Sequence, residues 1–200
     1  PAGTLQGWIW YPEGRPAEDA PAATRFFRCR FEAPAGLRGA ELRIAADDAC
    51  EVFLNGTQVG AQDTWRQTAV FTVGKLLKPG GNVLAVRAEN KPASGKNPAG
   101  LIVRLTMTLG TGKQAVVVSD GSWRSEKDAH QQWEQAAFDD STWKSAIVAA
   151  PFGEGPWGRI AGLSGLDSQD EELYFAVRRV KRGILFKNPA LDFTQLLFID

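Results

Sequence analysis

Two hundred residues with 44% hydrophobic and 23% charged side chains suffice to bury a core, either as one large all-β domain or as a domain plus a fragment of a neighbour. Lys plus Arg and Asp plus Glu balance at 23 each, which leaves no basic footprint for nucleic acid, and no apolar run approaches the roughly 18 residues of a membrane span. A single histidine removes most histidine-based catalysis and most transition-metal sites, while seven tryptophans are many for this length.

The chain opens on an aromatic run, Trp8-Ile9-Trp10-Tyr11, followed by a Pro-, Ala- and acid-rich surface loop over 12–23. Residues 24–34, TRFFRCRFEAP, alternate at period two, with Phe27, Cys29 and Phe31 inward and Arg28 and Arg30 outward. The stretch 40–60, AELRIAADDACEVFLNGTQVG, carries two alternating runs, Leu42/Ile44/Ala46 and Cys50/Val52/Leu54, split by Asp47-Asp48 and closed by Asn55-Gly56. Asn-Gly after an apolar run predicts a type I′ hairpin, because both central residues of that turn need positive φ. The pattern therefore reads as strand, acidic corner, strand and tight hairpin in one antiparallel unit.

Trp65 falls in a polar loop over 61–68, and 69–73 is a short strand. After the turn at 78–82, the nearly continuous apolar run 83–88 predicts a central strand ending at Glu89-Asn90. Residues 91–100 form a loop without periodicity, 101–109 and 114–119 are strands, and 126–150 leave room for one short helix around 128–137. A rigid glycine-proline loop occupies 152–158, and LYFAVRRVK at 173–181 is a closing strand. The apolar Leu196-Leu197-Phe198-Ile199 marks 183–200 as a linker or the first strand of a following domain, so that 1–182 forms the module and a neighbour lies tethered beyond residue 200. About eight short strands separated by regular turns give an all-β, antiparallel jelly-roll β-sandwich. Cys29 and Cys50 both occupy inward positions, as two buried thiols or, in an exported protein, a disulfide between neighbouring strands.

Several of these stretches (Trp8-Ile9-Trp10, FFRCRFEAP, ADDACEVFLNG, LKPGGNVLAVRAEN and SWR…FDDSTW…PWG) together resemble the galactose-binding-like jelly-roll modules of bacterial glycoside hydrolases. The likeness is strongest to the rhamnose-binding module beside α-L-rhamnosidase catalytic domains, and it covers residues 5–180. The resemblance implies an exported protein (secreted, periplasmic or cell-surface) in which a sugar is held through a calcium ion. An acidic pair at the corner, a tryptophan in the following loop and an asparagine after the long central strand do this in the family. Those positions fall here on Asp47 and Asp48, Trp65 and Asn90. The family pattern has Asp-Asn at the corner where this chain has Asp-Asp, which adds a negative charge, and the loop after Asn90, with Pro92 and Asn97, differs in length.

The residues support such chemistry on their own terms. Calcium takes six to eight hard oxygen ligands at about 2.3–2.6 Å, and Asp47, Asp48 and Asn90 end strands predicted to be neighbours. Trp65 would offer an apolar face to the C–H side of a pyranose. Equally, Asp47-Asp48 would serve as a turn cap, Asn90 as a strand terminator, Trp65 as a half-buried loop residue, and calcium as a purely structural ion. A glycosidase needs two carboxylates about 5–10 Å apart across a cleft, and no such pair is evident. His130 has no credible Ser and Asp partners, and there is no phosphate-binding glycine loop. The expectation is a non-catalytic module, with calcium as cofactor and Asp47, Asp48 and Asn90 as ligands. It would bind a terminal or side-chain sugar of a polysaccharide, rhamnose or a galacto-like residue, through Trp65, Asn90 and Asp48. The alternative is a structural or protein-interaction jelly roll without a glycan ligand, in which Trp65 is buried and the rim covered.

Overall fold

A computed structural model describes residues 7–128 and 130–163. In chain order the strands are β1 (Gly7–Trp10), β2 (Ala23–Ala33), β3 (Leu37–Asp47), β4 (Ala49–Leu54), β5 (Thr57–Gln62), β6 (Ala69–Thr72), β7 (Gly80–Asn90), β8 (Gly100–Leu109), β9 (Gln114–Val118), β10 (Arg124–Glu126), β11 (Lys144–Ser145) and β12 (Ile147–Pro151). One sheet runs β12-β1-β8-β3-β6, with β9 also paired to β8, and the other runs β11-β10-β2-β7-β4-β5. Every pairing is antiparallel, as the jelly-roll sandwich requires. The run at 83–88 is central as expected, with β7 flanked by β2 and β4.

The inward sets of both sheets meet between them. Ile9, Trp10, Phe27, Leu42, Ile44, Val52, Leu54, Val86, Leu101 and Trp123 form one buried cluster, each large apolar side chain contributing roughly 1.5–3 kcal/mol of transfer free energy. Leu42 and Ile44 reach this core from one sheet and Val52 and Leu54 from the other. The acidic corner therefore does not bend the chain within one antiparallel unit, as the alternation suggested. It carries the chain from the first sheet, where Asp47 pairs with Gly100, to the second, where Ala49 pairs with Glu89. Two apolar sets flanking a corner can lie side by side in one sheet or face each other across a core, and period two does not distinguish these. The hairpin follows expectation, with Leu54 opposite Thr57 and both turn residues at positive φ, 52° for Asn55 and 83° for Gly56.

Each sheet is also covered on its outer face. Trp157 stacks on Trp8 at 4.5 Å between centroids and closes a second apolar cluster with Ala45, Ile102 and Ile160. On the other sheet, Trp133 and Trp143 pack with Phe26, Val83 and Ala85 in a third. The segment carrying Trp133 is not the short helix that 128–137 suggested. Its carbonyls bond to side chains instead: Arg28 donates to the carbonyls of Trp133, Gln135 (3.2 Å) and Phe138 (3.3 Å), and Arg30 donates to Ala136 (3.0 Å) and Phe138. Arg28 does point away from the core, but the covering loop leaves it 0% exposed, and Asp140 Oδ2 accepts from its Nε at 2.7 Å. Residues 124–151 also hold three strands that the sequence did not announce, β10, β11 and β12. The compact unit ends at Leu163. The closing strand at 173–181 and the module boundary at 182 lie outside the described residues.

Candidate functional site

The corner sits at the rim where β3 ends, β4 begins and β7 ends. Asp47 is 7% exposed, and its Oδ2 accepts a hydrogen bond from Trp157 Nε1 at 2.8 Å. Trp157 reaches this position because Gly100 opposite Asp47 has no side chain; a Cβ there would stand 2.8 Å from the Trp157 ring and 2.9 Å from Trp8. Burial pushes the Asp47 carboxyl up to about 6; the indole bond pulls it down and the adjacent Asp48 charge pushes it up again.

Asp48 grips the end of β7. Its N–H donates to the Glu89 carbonyl at 2.8 Å, and its Oδ2 accepts from the Lys91 N–H at 2.7 Å, so the two bonds bracket Asn90. Asn90 is 2% exposed. Its Nδ2 donates to the carbonyls of Pro21 (3.0 Å) and Ala20 (3.3 Å), while its Oδ1 is buried with no hydrogen-bond partner. An unsatisfied buried oxygen costs about 1–3 kcal/mol, so its orientation asks for a donor or a cation. The neighbouring loop is tied in by Asn97, whose Nδ2 donates to the Lys91 carbonyl at 3.0 Å and whose N–H donates to Asp19 Oδ1 at 3.1 Å.

Trp65 lies half-buried against the Trp8–Trp157 cluster, with the Arg66 guanidinium 4.9 Å from its ring centroid. This is the half-buried loop residue of the plainer expectation, neither a freely exposed platform nor a fully covered side chain. Gln62 connects its loop to the corner, accepting from the Ala46 N–H at 2.9 Å and donating to the carbonyls of Thr64 and Gln67. Sequence reading missed both Gln62 and Trp157. Gln62 pairs with Cys50 only because a bulge between Val52 and Phe53 shifts the register that the hairpin alone would set.

Among the described residues no three His, Cys, Asp or Glu side chains converge as a metal cluster. Two carboxylates with an amide oxygen and nearby main-chain carbonyls are nonetheless the hard-oxygen set that suits calcium rather than a transition metal. Both carboxylates also do structural work, holding Trp157 and the Lys91 N–H. Cys29 and Cys50 are free thiols on either side of β7, opposite Leu84 and Ala88, too far displaced for a disulfide. Burial pushes each up to about 12, so neither is a nucleophile at neutral pH.

Two six-stranded antiparallel sheets joined by this corner place the chain among the β-sandwiches found in rhamnosidases and lectins. Over 78% of its length it superposes on the crystal structure of Streptomyces avermitilis α-L-rhamnosidase complexed with L-rhamnose, with a TM-score of 0.73, 42% identity and coverage of 16% of that chain. The lectin from Pleurotus ostreatus in complex with GalNAc matches at TM-score 0.71 and 29% identity, over 78% of this chain and 46% of the lectin. The GH78 rhamnosidase of Bacillus sp. GL1 matches at TM-score 0.67 and 27% identity, over 79% of this chain and 20% of that one. In sequence, the chain is homologous to the α-L-rhamnosidase of Streptomyces avermitilis, 39% identical over 195 residues, or 92% of this chain and 18% of the rhamnosidase. It thus spans less than a fifth of that relative's length. No family model matches it.

Proposed function

We propose that this domain is a non-catalytic carbohydrate-binding module that takes a terminal or side-chain sugar, rhamnose or a galacto-configured relative, at the rim of Asp47, Asp48, Asn90 and Trp65. The observation that carries the reading is the buried, unpartnered Oδ1 of Asn90, one residue before the Lys91 N–H that the Asp48 carboxylate holds. Asp47, Asp48 and Asn90 would hold calcium, which supplies an electrophilic point for two vicinal sugar hydroxyls. Asp48 holds the end of β7, on which Asn90 lies, through the Glu89 carbonyl and the Lys91 N–H. Trp65 contributes apolar contact to one side of the ring. The Streptomyces rhamnosidase structure is a complex with L-rhamnose and the Pleurotus lectin structure a complex with GalNAc, and matching so small a share of the rhamnosidase fits an accessory role. In an exported protein with a tethered neighbour, the module would raise the local concentration of polysaccharide around that neighbour.

The competing reading, an interdomain spacer, draws on the structural bonds that both carboxylates already make and on the half-buried state of Trp65. Calorimetry against L-rhamnose and D-galactose, with calcium and then with chelator, separates the two. The module reading expects binding that disappears with chelator and in Asp48→Ala and Asn90→Ala. No sugar binding, with chelator lowering only the melting temperature, would establish the spacer and a structural ion. No response to either would refute the calcium site.

A further inference from the structure

The cover over the second sheet stops short of the rim. Trp133 packs edge-on against Phe26 at 5.1 Å and against Phe53 at 5.7 Å. Beyond it the outer face carries Ala61, Glu51 and Arg87 in one cross-strand row ending at Phe26, and Ala49 and Glu89 in the next. With Asp63 these residues line a trough of about 410 Å³. That is within the roughly 300–1,000 Å³ of small-molecule sites. The trough borders the acidic corner, since Ala49 follows Asp48 and the Glu89 carbonyl accepts from the Asp48 N–H.

We infer that this trough is a second sugar subsite, accepting the residue to which the rim-bound sugar is linked. The inference rests on the carbohydrate reading above and extends it from one sugar to two. Ala49 and Ala61 leave the floor low enough for a pyranose ring to lie between the charged walls. Arg87 and Glu51 stand 3.4 Å apart with each side chain 40% exposed, a loose pair free to exchange part of its contact for sugar hydroxyls. A hydroxyl both donates and accepts, so carboxylate and guanidinium walls complement it on either side. Three carboxylates against one guanidinium give the trough a negative excess, which selects a neutral sugar over a uronic acid or a sulfated residue.

The test compares L-rhamnose with a neutral rhamnosyl-glucose disaccharide by calorimetry, using the full chain with calcium. One added net hydrogen bond predicts that the disaccharide binds about fivefold tighter than the monosaccharide. Arg87→Leu and Ala61→Phe, which remove a wall and fill the floor, should each abolish that gain while leaving rhamnose affinity unchanged. Ala61 is exposed and the Arg87 side chain is 40% exposed, and thermal melts verify that both variants fold. Equal affinity for the two sugars in the wild type, or a gain that survives both variants, overturns the subsite alone. Failure to bind either sugar overturns the carbohydrate reading beneath it, and the subsite falls with it.

Discussion

Replacing Asp140 with alanine removes a carboxylate that both Arg28 and Arg30 hold, at 2.7 and 3.1 Å. Arg28 is 0% exposed and cannot turn to solvent, so its charge would remain buried with only main-chain carbonyls as partners. Stripping one member from a buried pair costs about 3–5 kcal/mol, and the three carbonyls that Arg28 keeps argue for the lower end. For a domain of this size 1 kcal/mol corresponds to about 2–4 °C, so Asp140→Ala should melt about 6–12 °C below wild type. Asp140→Asn retains an acceptor and should lose about half as much. Circular dichroism melts give the shifts. The pH dependence identifies the cause. Burial opposes ionisation of Asp140, but the hydrogen bonds and charges of Arg28 and Arg30 outweigh it and lower the carboxyl below its ordinary value. The stabilisation is thus fully present above the unfolded value, near 3.9, and is lost as pH falls through the lowered folded value. The gap between wild type and Asp140→Asn should accordingly hold from neutral pH down to about 4 and close only below it. An alanine variant that melts with wild type, or a gap that closes near neutral pH, would refute the view that this pair anchors the outer cover.

The Asp47 carboxyl has the opposite sign. Raised by burial to about 6, it contributes no penalty below about pH 4, a growing one as pH rises, and a full one above about 6. Asp47→Asn, still able to accept from Trp157, should therefore raise the calcium-free melting temperature at pH 8 by the equivalent of about 1–3 kcal/mol and have no effect at pH 3.5. If the calcium reading holds, the same variant also loses any stabilisation by calcium. Cys29 and Cys50, both pushed up to about 12, should resist alkylation at pH 8 until the protein is unfolded, as intact mass measured before and after denaturant would show. Rapid labelling of either thiol in the native state would contradict that raised value, Cys50 being buried and Cys29 partly so.

The β-sandwich was legible because period-two alternation and Asn-Gly are local signals, and among the described residues the strands carrying them formed. What escaped was the pairing across the sandwich. Nothing near Asp47 indicates that Trp157 donates to it, because that bond depends on Gly100 leaving room for an indole from a segment far along the chain. The covering loop misled for a related reason. Residues 128–137 have ordinary helix formers, but Arg28 and Arg30 claim the carbonyls that a helix would use, and those arginines lie about a hundred residues earlier. At the candidate site, the meeting of Asp48 with the end of β7 followed from two strand-end motifs. The empty acceptor on Asn90 did not, since it is fixed by where Pro21 and Ala20 present their carbonyls.

Among the described residues the first and last strands are neighbours: β1 and β12 pair side by side, with Gly7 opposite Pro151 and Trp10 opposite Ile147. The folded body nevertheless continues past β12 and crosses to the other side of that sheet, where the Ala161 carbonyl accepts from Thr68 Oγ1 at 2.7 Å and the Gly162 carbonyl from Arg43 Nη1 at 2.6 Å. The segment after β12 thus straps the outer face, with Trp157, Ile160 and Leu163 buried beneath it. A strap of this kind ties one edge of a sheet to the other without adding a strand. Truncation before Trp157 would therefore strip Trp8 of the ring that stacks on it and uncover the whole outer face, so the folding unit is inherited intact only when it extends through Leu163.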